Sequence, residues 1–212
     1  MQVYGLVDFG LSDRLIRAFF RILPLILAAG CASASFKNTW RNWGAIPLEM
    51  KKKRVVVMAL NMPRTPKLGV EAAATDQLRH MGYLASAAYE IRMAPGTVDS
   101  ARATLQAAGI EVAMVFRATN DERALYPAGG RYEPPDPYQS YWGWGGGWME
   151  SPALVLAGEE RVFVETLVYS VRSDQLLWSG VAETRTVSNI GSATRDLVRI
   201  AVSDMRNADL LR

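Results

Sequence analysis

The sequence is poor in residues that build metal and redox sites. Its 212 residues include one cysteine, Cys31, and one histidine, His80. A single cysteine excludes an intramolecular disulfide and any cysteine-based metal or redox motif, and a single histidine excludes multi-histidine metal centres. A spanning segment is also missing at the N-terminus, because the apolar stretch 22–29 is far shorter than the roughly 20 residues that a bilayer core requires.

The sequence also lacks a large excess of charge of either sign, with 24 basic and 21 acidic residues. The formal net charge is +3, and no basic stripe is interleaved with aromatic residues, so we expect no nucleic-acid partner. The basic cluster Lys51 to Arg54 leads into an apolar run, and we interpret it as a solvated strand entry, with contact to anionic lipid headgroups as the alternative. Half of the residues are hydrophobic and 21% are charged, which is typical of a folded globular chain.

The N-terminal region has the order of a bacterial lipoprotein signal. A positive region precedes the apolar stretch, and small residues precede the cysteine: Arg14, Arg17 and Arg21, then Ala28, Ala29 and Gly30. The pattern resembles a lipobox, with Ala28 where such signals usually carry leucine. We therefore predict a signal peptide over 1–30 and a covalent lipid on Cys31, with no other cofactor. The alternative is an ordinary secretory signal cut near Ala32 or Ala34.

The residues after Cys31 bear on location. Ala32 resembles an export-permitting residue, which predicts a lipid anchor at the periplasmic face of the outer membrane. We expect residues 31–48 to form a tether and leader, and the single domain to span 49–212. The leader aromatics Phe36, Trp40 and Trp43 are expected to pack on the domain, with an interfacial anchor as the alternative.

The hydrophobic pattern predicts one α/β (α+β) domain, with a mixed sheet of about five strands covered by two or three helices. In the first half, strands and helices alternate: strand 54–61, helix 69–81 ending at Gly82, a weaker strand 83–89, helix 97–108 and strand 110–118. In the second half, a hairpin over 161–170 and 175–186 turns at Ser173 and Asp174, and a helix follows over 189–209. Along the first hairpin strand we expect two faces: Phe163, Leu167 and Tyr169 on one, and Val162, Val164 and Val168 on the other.

Three segments carry a resemblance to a known family. The segments FKNTW (Phe36 to Trp40), VETLVYS (Val164 to Ser170) and LLWSG (Leu176 to Gly180) resemble the bacterial lipoproteins grouped as domain of unknown function 4136. The resemblance covers the mature chain and implies its fold and location. It implies no activity, because the family's motifs are structural.

No catalytic set is evident. At a helix C-terminus the charge on His80 is favoured by the macrodipole, which is a sufficient structural role. Adjacent acids at Asp121 and Glu122, and at Glu159 and Glu160, are typical of solvated loops. The glycine-rich stretch 143–147 lacks the lysine and hydroxyl residue of a phosphate loop, so we expect no nucleotide. We predict that the protein is not an enzyme.

The unusual feature is a Tyr/Trp/Gly-rich insert over 126–152, in which glycines and prolines exclude regular structure. Its candidate interaction residues are Tyr138, Tyr141, Trp142, Trp144 and Trp148. A loop of this length is usually either functional or disordered, and its aromatic residues suit a bilayer interface, another protein, or a sugar or peptidoglycan face. A mobile or locally packed insert with no ligand is the alternative to any of these contacts. We therefore predict a non-enzymatic interaction or assembly lipoprotein; the alternative is a peptidoglycan- or glycan-binding module.

Overall fold

The computed structural model describes residues 34–60, 62–91, 98–119, 162–184 and 190–212. These residues form six strands and three α-helices, with short 3-10 turns at Met50–Lys52 and Ala88–Glu90. In chain order the elements are β1 (Phe36–Arg41), β2 (Arg54–Leu60), α1 (Arg64–His80), β3 (Leu84–Ala87), α2 (Val98–Ala107), β4 (Ile110–Thr119), β5 (Val162–Ser170), β6 (Gln175–Thr184) and α3 (Ile190–Asn207). None of the helices in these ranges is both long and apolar enough to cross a bilayer.

The strands form one mixed sheet in the order β1-β6-β5-β4-β2-β3. The β2 strand is parallel to both of its neighbours, and the other three pairings are antiparallel. The predicted single mixed α/β domain is confirmed, with one strand more than expected. The additional strand is β1, whose residues we expected in a leader preceding the domain boundary at residue 49.

Both faces of the sheet are buried, as the continuous apolar runs of β2 and β4 predict. The first face packs against α1 and α3, and its largest fully buried side chain is Trp178. The second face packs in part against Leu105 of α2. The predicted division of β5 is confirmed for the side chains described: Val164 and Val168 lie on the first face, and Phe163, Leu167 and Tyr169 on the second.

The α1 helix begins at Arg64, five residues earlier than its apolar periodicity predicts. Pro66 lies inside the first turn, where a proline is tolerated because the backbone N–H groups of that turn have no helical partner. The predicted end of the helix is confirmed. Gly82 has a φ of 85°, and the N–H of the next residue, Tyr83, donates to the carbonyl of Leu78 at 3.0 Å.

Two of the segments that carry the family resemblance meet in the first core. Phe36 of β1 packs edge-on against Trp178 of β6, with ring centroids 5.0 Å apart. Gly180 lies between them, and a Cβ added there would come within 2.6 Å of the Trp178 ring and 2.7 Å of the Phe36 ring. Phe36, Trp178 and Gly180 therefore pack together where β1 pairs with β6, and this packing stabilises β1 at the edge of the sheet.

The strand directions define two ends of the sheet. At the end that we call the tether end, β1 and β5 begin and β2, β3, β4 and β6 finish. At the opposite end, the turn end, the hairpin between β5 and β6 reverses direction through Asp174, which has a φ of 53°. The predicted polar turn of the hairpin is thus confirmed.

Candidate functional site

Residue pairing brings the start of the described chain and the start of the insert to the same end of the sheet. Phe36 pairs with Ala182, Ala182 with Val164, and Val164 with Ala118, in one row across four strands. Three strand spacings separate the ends of that row, which is about 14 Å. The chain enters at one end of the row and leaves β4 for the insert at the other.

The predicted site residues themselves lie outside the described residues. These are Cys31, Tyr138, Tyr141, Trp142, Trp144 and Trp148, and the same holds for the two acidic pairs and for the glycine-rich stretch 143–147. The strands that flank the insert, β4 and β5, are described, and they pair directly: Thr119 with Phe163, and Ala118 with Val164. Both attachment points of the segment 120–161 therefore lie at the tether end.

The domain begins close to Cys31. Ala34 is already part of the first core, with 5% of its surface exposed, and it follows the cysteine by three residues. At 3.3–3.6 Å per residue, a fully extended chain separates the two by about 11 Å at most. A lipid on the cysteine would therefore hold the tether end close to the bilayer surface.

The leader aromatics behave differently from one another. Phe36 and Trp40 are partly buried against the cores, as the packing interpretation predicts. Trp43 instead lies beyond the end of β1 with 77% of its surface exposed, and Arg41 stacks over its ring at 3.3 Å from the centroid. Trp43 lies near the turn end, away from the point where the chain enters.

The basic cluster Lys51 to Arg54 also lies at the turn end, where β2 begins. Lys52 pairs with Glu49 at 2.9 Å, and Lys53 pairs with Glu111 at 2.6 Å. Arg54 donates to the carbonyl of Ala108 at 2.8 Å. Lys51, Lys52 and Arg54 are exposed at the start of β2, which agrees with the interpretation of the cluster as a solvated strand entry.

His80 has a local structural partner. It is exposed at the end of α1, and its Nδ1 lies 2.7 Å from the carbonyl oxygen of Asp76 one turn earlier. Within the described ranges, no group of three or more His, Cys, Asp or Glu residues is arranged to hold a metal ion.

A buried ion pair lies on the second face near the tether end. Arg117 of β4 and Glu165 of β5 are directly paired residues, and the Arg117 Nε donates to Glu165 Oε2 at 2.8 Å. The Glu165 side chain is 2% exposed. Tyr169 is also buried on this face; burial raises the pKa of its phenol, and the Glu165 charge raises it further. Side chains alternate between the two faces along β4 and β5, and this alternation applied to the sequence could have indicated that Arg117 and Glu165 lie on the same face.

A second buried carboxylate, Glu71 of α1, lies beside a cavity of about 400 Å³ at the tether end. The residue is 1% exposed, and its Oε1 accepts a hydrogen bond from the Ala59 N–H at 3.0 Å. Burial raises the pKa of the Glu71 carboxyl, while the Ala59 N–H, the Lys67 charge and the Tyr89 N–H lower it by less. Sequence reasoning missed this residue, because a single glutamate on a helix usually lies on the solvated face.

Comparison with known proteins gives distant similarities in fold only. The sequence matches no protein-family model and no curated protein. Among solved structures, it is similar to a PelC dodecamer from Paraburkholderia phytofirmans, at 16% identity and a TM-score of 0.43, covering 80% of this chain and 96% of that one. A variant PelC dodecamer gives 15% identity and a TM-score of 0.42, covering 76% and 94%.

A further solved structure, TolB from Acinetobacter baumannii, is 14% identical with a TM-score of 0.36, covering 82% of this chain and 31% of that one. At such identities and scores, no functional conclusion follows from any of the three.

Proposed function

We propose that this protein is a non-enzymatic envelope lipoprotein, anchored through Cys31 at the periplasmic face of the outer membrane, whose aromatic insert makes contacts at the bilayer surface. The observation that carries the proposal is the common location, at the tether end, of the chain entry and of both attachment points of the insert. The lipid anchor and the membrane assignment rest on the sequence pattern around Cys31.

The short distance between anchor and domain supports a bilayer contact. The buried Ala34 allows about 11 Å of chain between the lipidated cysteine and the domain. The insert leaves the same sheet end about 14 Å away along the strand row. A lipid at Cys31 and the segment 120–161, which contains the insert 126–152, would therefore both be within reach of one membrane surface.

The residue types of the insert suit that surface. Tryptophan and tyrosine rings carry an apolar body and a polar group, and they are favoured at the boundary between headgroups and acyl chains. Glycines between them allow each ring to orient separately. The alternative partner of the insert is an envelope protein at the same membrane surface, which would contact the same aromatic rings.

The anchor is tested by mass spectrometry of the mature N-terminus from membrane fractions, comparing the parent with Cys31→Ser. We expect an acylated peptide that begins at Cys31 in the parent. In the variant we expect no acylated peptide. A parent chain with an unmodified N-terminus beyond residue 31 would contradict the lipoprotein assignment.

The insert is tested in a chain that begins at Ala32, which carries neither the signal nor Cys31, so that only its own affinity for lipid remains. We expect sedimentation with anionic phospholipid vesicles to fall at least about tenfold when Trp142, Trp144 and Trp148 are changed to alanine. The matched control is Trp43→Ala, an exposed tryptophan at the opposite end of the sheet, which should leave sedimentation unchanged. Equal losses in both variants, or no vesicle binding by the parent background, would contradict the proposed bilayer contact.

A further inference from the structure

Strand β3 is an edge strand, and two exposed apolar side chains flank it. It is the last strand in the order of the sheet, and among the described strands it pairs only with β2. Leu84 begins the strand with 58% of its surface exposed, and Tyr89 lies in the turn that follows with 50% exposed. Apolar side chains beside an open strand edge favour the addition of another strand.

One ion pair occupies backbone groups on the outer side of β3. The Arg79 Nε donates to the carbonyl of Ala85 at 2.9 Å, and the Arg79 Nη2 donates to Glu90 Oε2 at 2.8 Å. The same carboxylate oxygen accepts the N–H of Ala87 at 3.3 Å. Ala85 and Ala87 are two residues apart in the strand, so they direct these groups to the same side, where a neighbouring strand would bind them. We call Arg79 and Glu90 the edge cap.

The local fold brings the two side chains of the edge cap together. Arg79 lies in the last turn of α1, and Gly82, with a φ of 85°, reverses the chain between that turn and β3. Glu90 lies in the 3-10 turn that follows β3. The cap residues therefore reach the edge from the segments before and after the strand. Both side chains remain partly exposed, so the cap can be removed without emptying a core position.

We propose that the edge cap prevents β3 from pairing with β3 of a second copy of this chain. The capped groups are self-complementary. In an antiparallel pairing centred on Ser86, the Ala87 N–H of each copy donates to the Ala85 carbonyl of the other. The exposed apolar side chains at this edge lose water contact in the same interface. Because the same surface is used by both copies, the pairing closes as a two-fold dimer and joins the two sheets.

The cap is tested by sedimentation velocity over a series of concentrations, in the chain that begins at Ala32 and keeps every described element. The uncapped variant is Arg79→Ala with Glu90→Ala. The matched control, Glu49→Ala with Lys52→Ala, removes an exposed ion pair at the turn end and leaves the net charge equally unchanged. We expect the uncapped variant to dimerise at least about tenfold more strongly than the parent and the control. An uncapped variant that is folded by circular dichroism and as monomeric as the parent would overturn the proposal.

A proline substitution locates the interface. Ala87 has a φ of −75°, which proline also adopts, and proline has no N–H to donate across an edge. Ala87→Pro added to the uncapped variant should therefore restore the monomer. A dimer that persists would show that the copies meet elsewhere, and the proposal would be wrong. If the uncapped variant fails to fold, Arg79→Met, which keeps an apolar side chain and releases the Ala85 carbonyl, is measured in the same way. A monomer equal to the parent would then overturn the proposal.

Discussion

Gly180 is a position where the fold depends on the absence of a side chain. An added methyl group would lie 2.6 Å from Trp178 Cη2 and 2.7 Å from Phe36 Cδ1, both of them ring atoms in packed positions. We expect Gly180→Ala to lower the free energy of unfolding by about 1–3 kcal/mol, because one of the rings must move out of its packed position. Urea unfolding followed by circular dichroism measures this loss.

Gly69 provides the matched control for that substitution. It lies within α1, and a Cβ added there would meet nothing within 4 Å. Gly69→Ala should raise the free energy of unfolding by about 0.5–1 kcal/mol, because alanine loses less backbone entropy than glycine in a helix. Similar effects of the two substitutions would contradict the proposed role of Gly180.

The ion pair between Arg117 and Glu165 makes a non-additive prediction. Arg117→Met leaves the Glu165 carboxylate buried without its partner, which we expect to cost about 2–3 kcal/mol of unfolding free energy, given the partial exposure of Arg117. Adding Glu165→Met removes the remaining charge, so the double variant should be more stable than Arg117→Met alone. Denaturant unfolding of the parent, the two single variants Arg117→Met and Glu165→Met, and the double variant tests this, and additive losses would show that the pair is not coupled.

Glu71 makes a prediction about pH. Burial holds the pKa of this carboxyl above its ordinary value of 4.5, so folding favours the protonated form. The stability it contributes is present below pH 4.5 and is lost as pH rises toward the folded-state pKa. Denaturant midpoints at a series of pH values should therefore shift in favour of Glu71→Gln over the parent as pH rises. A difference independent of pH would contradict this assignment.

At the scale of elements, much of the fold could be predicted from apolar periodicity. Local sequence patterns predict the hairpin, the end of α1 just before Gly82, and the buried strands β2 and β4. The β1 strand could not be predicted so easily, because its residues Lys37, Asn38 and Thr39 are polar and its pairing partner lies far along the chain. Whether such an edge segment forms a strand depends on a hydrogen-bonding partner far along the chain and not on local propensity.

The β1 strand makes a prediction about the domain boundary. A chain that begins at residue 49 lacks β1, so it exposes Trp178 and the edge of β6 and loses the packing of Phe36 and Trp40. We expect it to be less stable by about 3 kcal/mol or more than a chain that begins at Ala32. Thermal unfolding of both chains measures the difference, and equal midpoints would contradict a stabilising role of β1.

At the scale of the whole molecule, the candidate site could be predicted only in part. The sequence indicates a lipidated cysteine and an aromatic insert, but it does not indicate that the start of β1 and the two strand ends that flank residues 120–161 lie at one end of the sheet. That relation depends on the register and direction of four strands, β1, β6, β5 and β4. The buried carboxylate Glu71 and its cavity depend likewise on β2 extending beyond β3.

The central claim, that the insert meets the bilayer at the tether end, is tested most directly by the depth of a fluorescent label. Cys31 is the only natural cysteine and would be acylated, so an introduced thiol labels one position: Ser140→Cys in the insert or Ser173→Cys at the turn end. In vesicles that contain lipids with a quencher on the acyl chain, we expect strong quenching at residue 140 and little at residue 173. Equal quenching at the two positions, or stronger quenching at residue 173, would contradict it.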